Sequence, residues 1–499
     1  MKYISTRGAG EPVSAAEAIL TGLAPDGGLY VPESFPEPLS GADFAALSAL
    51  SYPERAARIM RLFLDDFSEE ELLSYAKSAY SDEKFDSSPA PLVRVGGRRY
   101  LELFHGPTSA FKDMALQMLP YLLSASLQKR GQREDALILV ATSGDTGKAA
   151  LEGFKDVPRT NVLVFYPKDG VSDIQKLQMT TQEGENVAVS AVSGNFDDTQ
   201  NGVKELFSSE EMRRELASLG LRFSSANSIN WGRVLPQIVY YVSAYCDLGN
   251  ETGTLPERIN FCVPTGNFGN ILAAYYAKQL GVPVHKLLCA SNANRVLTEF
   301  IRTGRYNRKR EFHLTISPSM DILISSNLER LLFELVGRDA DRVSAYMRRL
   351  RETGEYTVDE AVKTRLTDLF YGDFCDDNET KATIATVFKE DAYLLDPHTA
   401  VAVNVCDAYL AETGDETPAV VVATASPFKF CESVLAAIGA PLQSGGFELI
   451  SDLSRVSGLT PPAPILALAG KPERFSAVFE RDEMGKSTLL FAKDRAKHR

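Results

Sequence analysis

The chain has 499 residues, of which 44% are hydrophobic and 24% are charged, a composition typical of a globular protein with a large core. Its length predicts about three domains. A formal net charge of -13 argues against nucleic acid or an anionic membrane as a partner, because their phosphate groups would be repelled.

The first part of the chain, residues 1–88, combines short helical patterns with turn clusters and holds no catalytic grouping. The opening residues, MKYISTRG, lack the apolar segment of an export signal. Gly27 and Gly28 permit positive φ angles ahead of a brief strand, and an acidic helix is predicted at 65–77. We therefore expect a small packing domain here.

One lysine, Lys112, stands where turn residues give way to a helix. The segment 103–113 reads LFHGPTSAFKD, and apolar residues then recur at helical spacing as far as residue 129, with a kink predicted at Pro120. A cation in the first helical turn opposes the positive end of the helix dipole, which favours a lysine that loses its proton and reacts as an amine. The alternative is a solvated surface lysine.

From about residue 89 onward the sequence alternates between strand and helix patterns. Apolar runs bounded by turn residues predict strands at 136–141, 162–166, 187–192, 261–263, 286–290 and 420–423. This alternation predicts βαβ units and parallel sheets covered by helices on both faces. Ligands of such folds bind at the carboxyl ends of the strands, so the loops there are the candidate sites.

The loop after the strand at 136–141 reads TSGDTGK and precedes a predicted helix at 149–155. The hydroxyl groups of Ser143 and Thr146, together with free backbone N–H groups at the helix start, can form a cradle for a substrate carboxylate or phosphate. Lys148 could add positive charge beside it. A loop that only caps the helix is the alternative.

The loop after the strand at 261–263 carries two glycines at the start of a helix predicted for 271–278. Backbone can approach a phosphate closely at such a position, and amide donors are present. The candidate binding residues are Gly266, Asn267, Phe268, Gly269 and Asn270. A plain turn is the alternative, and the loop lacks the Gly-Lys-Ser/Thr of a nucleotide triphosphate site.

Residues 300–395 form a charged insertion in which helical patterns predominate, and its helix at 329–334 is predicted to serve packing. The chain offers no H-x-x-x-H or paired-carboxylate pattern, so no metal site is predicted. Six cysteines without C-x-x-C spacing indicate neither a zinc site nor a disulfide framework, which fits a reducing cytoplasm. The longest apolar runs are far too short to span a membrane.

The motif HGPTSAFKD resembles the lysine segment of threonine synthases, which are pyridoxal-phosphate enzymes of fold type II whose lysine carries the cofactor as a Schiff base. The resemblance extends along the chain through STRG, GLAPDGGLYVP, DPHTAVA and TASPFKF, and it is closest to the longer microbial and fungal branch. It implies an α/β fold with two parallel-sheet-containing domains, the cofactor between them, and a small N-terminal domain. The implied division is 1–88 for the N-terminal domain, 89–111 with 227–499 for the large cofactor-binding domain, and 112–226 for a smaller mobile domain.

The same resemblance implies roles for individual residues. Lys112 would hold pyridoxal 5'-phosphate, the loop of residues 266–270 would bind its phosphate, and Thr424 would hydrogen-bond its pyridine nitrogen. A neutral hydroxyl there weakens the ring as an electron sink, which suits elimination and replacement chemistry; a capping threonine at a strand end is the alternative. Asp145 stands where related enzymes commonly have an amide over the phenolic oxygen of the cofactor.

The segment Asn227 to Arg233 resembles the part of threonine synthases in which both of these side chains bind the phosphate of the substrate. The planar guanidinium of arginine suits this task because it pairs phosphate oxygens bidentately. A structural ion pair is the alternative for Arg233.

The implied activity is that of a carbon-oxygen lyase acting on a phosphate ester, converting O-phospho-L-homoserine and water to L-threonine and phosphate. A phospho-lyase that releases 2-oxobutyrate, ammonia and phosphate remains an alternative, as does a catalytically silent binding protein on the same fold. We expect a cytoplasmic monomer or homodimer in which the smaller domain closes over the substrate.

Overall fold

The computed structural model describes residues 1–85, 88–142, 144–168, 171, 173–442 and 445–498. The N-terminal part consists of β1 (Tyr3–Ser5), α1 (Ala15–Thr21), β2 (Tyr30–Pro32), α2 (Gly41–Ser48), α3 (Tyr52–Arg61) and α4 (Glu69–Ala79). Strands β1 and β2 pair antiparallel. Ser40, Ser51 and Ser68 begin the last three helices with capping boxes, which satisfy backbone N–H groups that a helix start leaves without partners.

The segment 103–113, which carries Lys112, follows an antiparallel pair of strands, β3 (Leu92–Val95) and β4 (Arg98–Glu102). The helix predicted to extend to residue 129 is divided into α5 (Asp113–Leu116) and α6 (Leu119–Lys129). Pro120 lies in the first turn of α6, where a missing backbone N–H costs nothing, so the proline marks a new helix rather than a kink.

The next segment alternates strands and helices as predicted. It comprises β5 (Asp135–Ala141), α7 (Asp145–Phe154), β6 (Thr160–Pro167), α8 (Asp173–Thr180), β7 (Val187–Val192), α9 (Phe196–Ser208), α10 (Glu210–Ser218) and β8 (Leu221–Ser224). Strands β5, β6 and β7 correspond to three predicted apolar runs and are almost entirely buried, as expected for strands covered on both faces.

The chain after β8 adds further strands to the sheet that contains β3 and β4 and also forms the insertion. Its first elements are α11 (Trp231–Thr252), β9 (Ile259–Pro264), α12 (Gly269–Gln279), β10 (Val284–Ser291), α13 (Val296–Thr303) and β11 (Arg305–Asn307). The insertion continues with α14 (Leu328–Leu335), α15 (Ala340–Thr353), β12 (Glu355–Thr357), α16 (Glu360–Leu369), β13 (Phe370–Phe374) and α17 (Asp377–Asp391). The last elements are α18 (Pro397–Thr413), β14 (Ala419–Ala423), α19 (Cys431–Ala437), α20 (Glu448–Ser457), α21 (Ala463–Leu466), β15 (Val478–Phe479) and α22 (Met484–Lys497).

Two sheets dominate the part of the chain that the structure describes. The larger has the strand order β13-β10-β9-β14-β4-β3 and is parallel except for the pairing of β3 with β4. The smaller has the order β15-β7-β6-β5-β8 and is parallel throughout. The predicted α/β architecture with parallel sheets is therefore observed.

The C-terminal part of the chain belongs to the smaller sheet. Strand β15 pairs with β7, and helix α22 packs Met484 and Ala492 into the apolar core beneath that sheet. The sequence-based division placed all of residues 227–499 with the large domain, whereas the structure assigns β15 and α22 to the other sheet. The two apolar residues of β15 and the single helix α22 carry no sequence feature that distinguishes the two alternatives.

The N-terminal domain is fixed to the insertion by buried polar contacts. Arg7 forms a two-pronged ion pair with Glu329, which also accepts a hydrogen bond from Thr6 at 2.7 Å. Arg330 donates to the backbone oxygen of Tyr30 at 3.0 Å. The STRG motif thus holds α14 in position, next to the glycine loop that precedes α12.

Among the residues that the structure describes, none of the helices has the length and apolar content needed to cross a membrane.

Candidate active site

The carboxyl ends of four neighbouring strands of the larger sheet, β4, β14, β9 and β10, lie along one edge. The loops that follow them carry most of the predicted site residues, as expected for a parallel α/β sheet. The smaller sheet contributes the loop between β5 and α7, which carries Asp145. Side chains from both sheets therefore meet at one place.

The lysine loop lies directly against the segment that follows β14. Phe111 N donates to Thr424 O at 2.8 Å, and Ser426 N donates to Ser109 O at 3.1 Å. Ser109 has a φ of 55°, which is rare for a residue other than glycine and lets the loop turn into α5. These bonds place Lys112 and Thr424 side by side.

Lys112 occupies the N-cap position of α5, as its sequence context predicted. Its side chain is 12% exposed, and Nζ lies 3.1 Å from Ser319 Oγ and 3.6 Å from Asp145 Oδ2. Burial lowers the pKa of Lys112; the Asp145 carboxylate opposes this effect, and the positive charges of Lys429 and Arg233 add to it. Because α5 is a single turn, burial and neighbouring charges account for the shift better than the helix dipole does.

Asp145 is bound by a second lysine that the sequence analysis did not single out. Lys429 Nζ lies 2.8 Å from Asp145 Oδ1 and donates to Thr108 O at 2.7 Å, and its side chain is completely buried. Gln175 also donates to Asp145 Oδ1, at 3.1 Å. Burial alone would raise the pKa of Asp145, but the charges of Lys429 and Lys112 hold it well below its usual range, so Asp145 is a carboxylate.

A chain of hydrogen bonds links the other neighbour of Lys112 to the start of α18. Ser319 N donates to His398 Nε2 at 3.1 Å, and His398 Nδ1 lies 2.7 Å from Asp396 Oδ2. Because Nε2 accepts a bond, Nδ1 carries the proton and donates it to Asp396. Thr399 hydrogen-bonds the other oxygen of Asp396 and accepts from Thr424 N at 3.2 Å. The DPHTA motif therefore supports both Ser319 and Thr424.

The glycine loop between β9 and α12 is held through its carbonyl groups. Gly266 O accepts from Ser325 Oγ at 2.7 Å, and Asn267 O accepts from Asn327 Nδ2 at 3.0 Å. Among the described residues, the backbone N–H groups of Asn267, Phe268 and Gly269 donate no hydrogen bond to another loop or side chain, so these donors at the start of α12 are available to a ligand. Phe268, the N-cap of α12, has a φ of 63°, which turns the chain sharply into the helix.

Close packing explains the glycines of this loop. A Cβ at Gly266 would lie 2.7 Å from Ser319 O, and one at Gly269 would lie 3.3 Å from Asn327 Nδ2. Asn270 Oδ1 accepts bonds from Tyr240 and Tyr241, while Asn270 Nδ2 is buried without a partner among the described residues. The loop thus lies beside Ser319, which in turn contacts Lys112.

Arg233 is buried in the first turn of α11, with 3% of its surface exposed. Nη1 donates to Ala226 O at 2.7 Å, but Nε has no hydrogen-bond partner, and no carboxylate pairs with the guanidinium within the described residues. Burial lowers the pKa of Arg233 to about 10. The alternative of a structural ion pair is therefore not observed.

The other predicted substrate residues are less well defined. Asn227 is exposed, and its backbone oxygen accepts from Asn230 N at 3.0 Å in the turn before α11. Thr146 is half-buried in α7, and Ser143 lies outside the described residues. Their roles stay predictions.

Lys148 is not a surface lysine. It is 7% exposed, and its Nζ lies 3.0 Å from Glu152 Oε2 and 2.5 Å from Gln182 Oε1. Burial lowers its pKa, and Glu152 opposes this effect. Its charge is neutralised within the smaller domain.

Ser319, Lys429, Asp396 and Thr399 join the site in the structure but were absent from the predicted set. Lys429 lies in the TASPFKF motif, and Asp396 and Thr399 lie in DPHTA. A lysine among the apolar residues of TASPFKF was the signal available for Lys429. Ser319 follows no recognisable pattern. In the described part of the chain, no group of three or more His, Cys, Asp and Glu side chains is placed to hold a metal ion.

Family models match most of the chain. The model of the threonine synthase N terminus matches residues 2–80, that of pyridoxal-phosphate dependent enzymes matches 94–361, and that of the threonine synthase C-terminal region matches 399–485. The middle match covers β4, β9, β10 and the second half of β3 in the larger sheet, together with the loops that carry Lys112, Asp145 and Arg233.

Individual relatives agree with these models. Threonine synthase of Pseudomonas aeruginosa is 41% identical over 437 residues, covering 87% of this chain and 90% of that protein. Human threonine synthase-like 1 is 40% identical over 435 residues, covering 85% of this chain but 58% of that protein, so the chain spans little more than half the length of this relative.

A solved structure resembles the whole chain. The crystal structure of PLP-bound threonine synthase from Brucella melitensis has a TM-score of 0.88 and 38% identity, covering 99% of this chain and 100% of that chain. These matches confirm the predicted fold type II architecture and the predicted cofactor. The chain therefore belongs to the threonine synthase family of pyridoxal-phosphate-dependent enzymes.

Proposed function

We propose that this chain is a threonine synthase, which converts O-phospho-L-homoserine and water to L-threonine and phosphate with pyridoxal phosphate held on Lys112. The environment of Arg233 is the observation that supports the proposal beyond family membership. It is a buried guanidinium with a free Nε and no carboxylate partner among the described residues, close enough to Lys112 to lower that lysine's pKa. A substrate phosphate supplies the missing negative charge.

The residues present fit the cofactor. The loop of residues 266–270 has its carbonyl groups bound elsewhere and its N–H groups available at the start of α12, which is a suitable cradle for a phosphate. Thr424 is held beside Lys112 and would contact the pyridine nitrogen, while Asp145 would face the phenolic oxygen. When bound, pyridoxal phosphate supplies a ring that stabilises negative charge on the substrate carbon atoms.

The chain's own groups then handle protons and position the substrate. The lowered pKa of Lys112 favours a neutral amine, which can take a proton from a substrate carbon and return it elsewhere. Ser319 Oγ can hold this amine in place. Arg233 would keep the released phosphate near the reacting carbons, where it can help to deprotonate the attacking water.

Several finer features belong to the same proposal. The smaller domain, residues 112–226 together with β15 and α22, closes over the substrate and excludes bulk water. The protein acts in the cytoplasm as a monomer or homodimer, and Asn227, Ser143 and Thr146 contribute to substrate binding. The net charge of -13 supports the absence of nucleic acid or membrane partners.

The reaction product distinguishes a threonine synthase from the phospho-lyase alternative. Incubation of the holoenzyme with O-phospho-L-homoserine should release phosphate and threonine in equal amounts. Release of 2-oxobutyrate and ammonia instead of threonine would establish the phospho-lyase alternative, and absence of any phosphate release would contradict both enzyme assignments.

Lys112→Ala should lower turnover by at least about a hundredfold, because both the cofactor anchor and the proton carrier are lost. Lys204→Ala, which removes an exposed lysine of α9, is the matched control and should leave turnover unchanged. Retained turnover in the Lys112 variant would refute the role of this lysine.

A further inference from the structure

Two lysines, Lys429 fully buried and Lys112 largely buried, share one carboxylate at the junction of the two sheets. Asp145 Oδ1 lies 2.8 Å from Lys429 Nζ, and Asp145 Oδ2 lies 3.6 Å from Lys112 Nζ. Within the described residues, Asp145 is the one carboxylate in ion-pair contact with either lysine. Two ammonium groups and one carboxylate leave a net positive charge in a buried place, which is unfavourable unless one ammonium loses its proton.

The geometry indicates which lysine is held more closely by the carboxylate. Lys429 is completely buried and makes two short contacts with acceptor oxygens, to Asp145 and to Thr108 O at 2.7 Å. Lys112 has only the longer contact with Asp145 and a bond to a serine hydroxyl at 3.1 Å. Lys429 therefore holds the Asp145 carboxylate more closely than Lys112 does.

We propose that Lys429 is a positioning residue for the reactive lysine: its ammonium group fixes the Asp145 carboxylate and leaves Lys112 with only a minor share of that negative charge. The inference rests on the proposed role of Lys112 as the cofactor lysine. It assigns Lys429 a function because a neutral Lys112 is the form that attacks an aldehyde.

The other charged groups around this cluster are few. Arg233 also faces Lys112 and acts in the same direction as Lys429. Asp113, next to Lys112 in the chain, bonds to Thr108 N and Oγ1 at 2.8 and 2.7 Å and feels the charge of Lys429. Glu152 acts on Asp113, and Gln175 is the neutral donor on Asp145.

A purely structural role for Lys429 is the competing explanation, because its bond to Thr108 O fastens the lysine loop. Lys429→Gln separates the two roles, since an amide can still donate to Thr108 O but carries no charge. Lys429→Met removes both the bond and the charge. Asp145→Asn removes the shared carboxylate and should act on Lys112 in the opposite direction.

The experiment measures the protonation of Lys112 directly. The full chain is stripped of cofactor, acetylated with acetic anhydride across a pH series, and the labelling of Lys112 is quantified by peptide mass spectrometry against exposed Lys204. Lys429→Gln and Lys429→Met should both move the labelling midpoint to higher pH, by about one unit, which slows labelling at neutral pH about tenfold. Asp145→Asn should move the midpoint to lower pH.

Lys148→Gln is the matched control, because Lys148 is a buried lysine whose charge is paired with Glu152 rather than with Asp145. It should leave the Lys112 midpoint in place. The inference is overturned if Lys429→Gln leaves the midpoint unchanged or if the Lys429 and Asp145 variants shift it in the same direction. If both Lys429 variants fail to fold, Asp145→Asn decides alone: a lower midpoint supports the shared carboxylate, and an unchanged or higher one contradicts it.

Failure of the proposed function would be recognised separately. Borohydride reduction of the holoenzyme should fix the cofactor on Lys112, and a cofactor fixed elsewhere or not at all would contradict the role of Lys112. The labelling profiles of the stripped chain would still decide the role of Lys429.

Discussion

Arg233 and Arg330 are both buried cations, but their surroundings differ. Arg330 Nε, Nη1 and Nη2 donate to Tyr30 O, Asn327 Oδ1 and Ile229 O at distances of 3.0, 2.6 and 2.6 Å. Arg233 has one such bond and a free Nε. A buried charge without a counter-ion costs several kcal/mol in a protein. Arg233 would therefore destabilise the protein on its own, and the substrate phosphate proposed to bind it would offset this cost.

Arg233→Met should weaken substrate binding and spare the fold. Loss of a charged hydrogen-bonding partner costs about 1.5–3 kcal/mol, which corresponds to a KM for phosphohomoserine about ten- to a hundredfold higher. The free energy of unfolding should stay level or rise, because an uncompensated charge is removed. Steady-state kinetics and urea unfolding measure the two effects.

Arg330→Met is the matched control. It leaves three buried acceptors without donors, so the free energy of unfolding should fall by about 3 kcal/mol. If the two variants lose stability equally and the Arg233 variant keeps its KM, the anion-binding role of Arg233 is wrong.

At this scale, sequence predicted some of the residues that lie in compact motifs, missed Lys429, Asp396 and Thr399 within such motifs, and missed Ser319, which no motif marks. Lys112 and Thr424 were predicted because they lie in the motifs HGPTSAFKD and TASPFKF, which resemble segments of threonine synthases. Ser319 lies 207 positions from Lys112, and nothing local marks it. Asn227 was predicted from the resemblance of the segment 227–233 to threonine synthases; the residue is exposed in the structure, and its role stays a prediction.

Asp396, the N-cap residue of helix α18, has two structural roles. Asp396 caps the helix by accepting from His398 N at 2.9 Å and Thr399 N at 3.2 Å. The same carboxylate orients the His398 ring, whose Nε2 holds the backbone of Ser319. Because Ser319 contacts Lys112, the start of this helix sets part of the site geometry.

Asp396→Ala should reduce both stability and turnover. Loss of the cap and of the buried bonds to His398 and Thr399 should lower the free energy of unfolding by about 3 kcal/mol. Displacement of Ser319 should lower kcat about ten- to a hundredfold. Thermal unfolding and steady-state kinetics at saturating substrate measure these effects.

Asp376→Ala provides the comparison, because Asp376 is an exposed N-cap of α17 that accepts from Asn378 N and Glu379 N at 2.8 and 2.9 Å. It should cost about 1 kcal/mol of stability and leave kcat unchanged. Equal kcat in the two variants would show that Asp396 acts as a cap alone.

Among the elements, strands buried on both faces were the easiest to predict. The apolar runs at 136–141 and 420–423 correspond closely to β5 and β14. Strand β13 was missed because its sequence, FYGDF, is short, contains glycine, and lies in an insertion dominated by helical patterns. Only its pairing with β10 makes it a strand, and that partner is distant in sequence.

The smaller sheet depends on the last part of the chain for its core. Met484 of α22 is 1% exposed and belongs to the same apolar cluster as Leu137, Leu139, Leu163 and Phe165. Strand β15 covers the edge of β7 that would otherwise be unpaired. The site loop that carries Asp145 follows β5 of this sheet, so the C-terminal helix supports the site from a distance.

Met484→Ala should destabilise the protein although all the site residues precede position 430. A buried methionine replaced by alanine costs about 2–5 kcal/mol. Leu490→Ala, on the same helix at a side chain that is 56% exposed, should change stability by less than about 0.5 kcal/mol. Urea unfolding compares the two, and equal losses would contradict the packing of α22 against the smaller sheet.

At the level of the whole molecule, the sequence predicted two parallel sheets and a separate N-terminal part, but not which sheet receives each segment. Residues 478–479 are too few to show a periodic pattern. Their place is set by edge pairing and by the packing of α22, both of which depend on contacts with residues about 300 positions earlier in the chain.

The return of β15 gives the two sheets three covalent connections instead of two. The first, between β4 and β5, carries Lys112; the second, between β8 and β9, carries Arg233; and the third begins with β14 and the loop that holds Lys429. Because three separate linkers join the two sheets, few axes are available for rotation of one sheet relative to the other. Any closure of one sheet over the other would have to bend all three linkers together, and each linker carries one of these three cations.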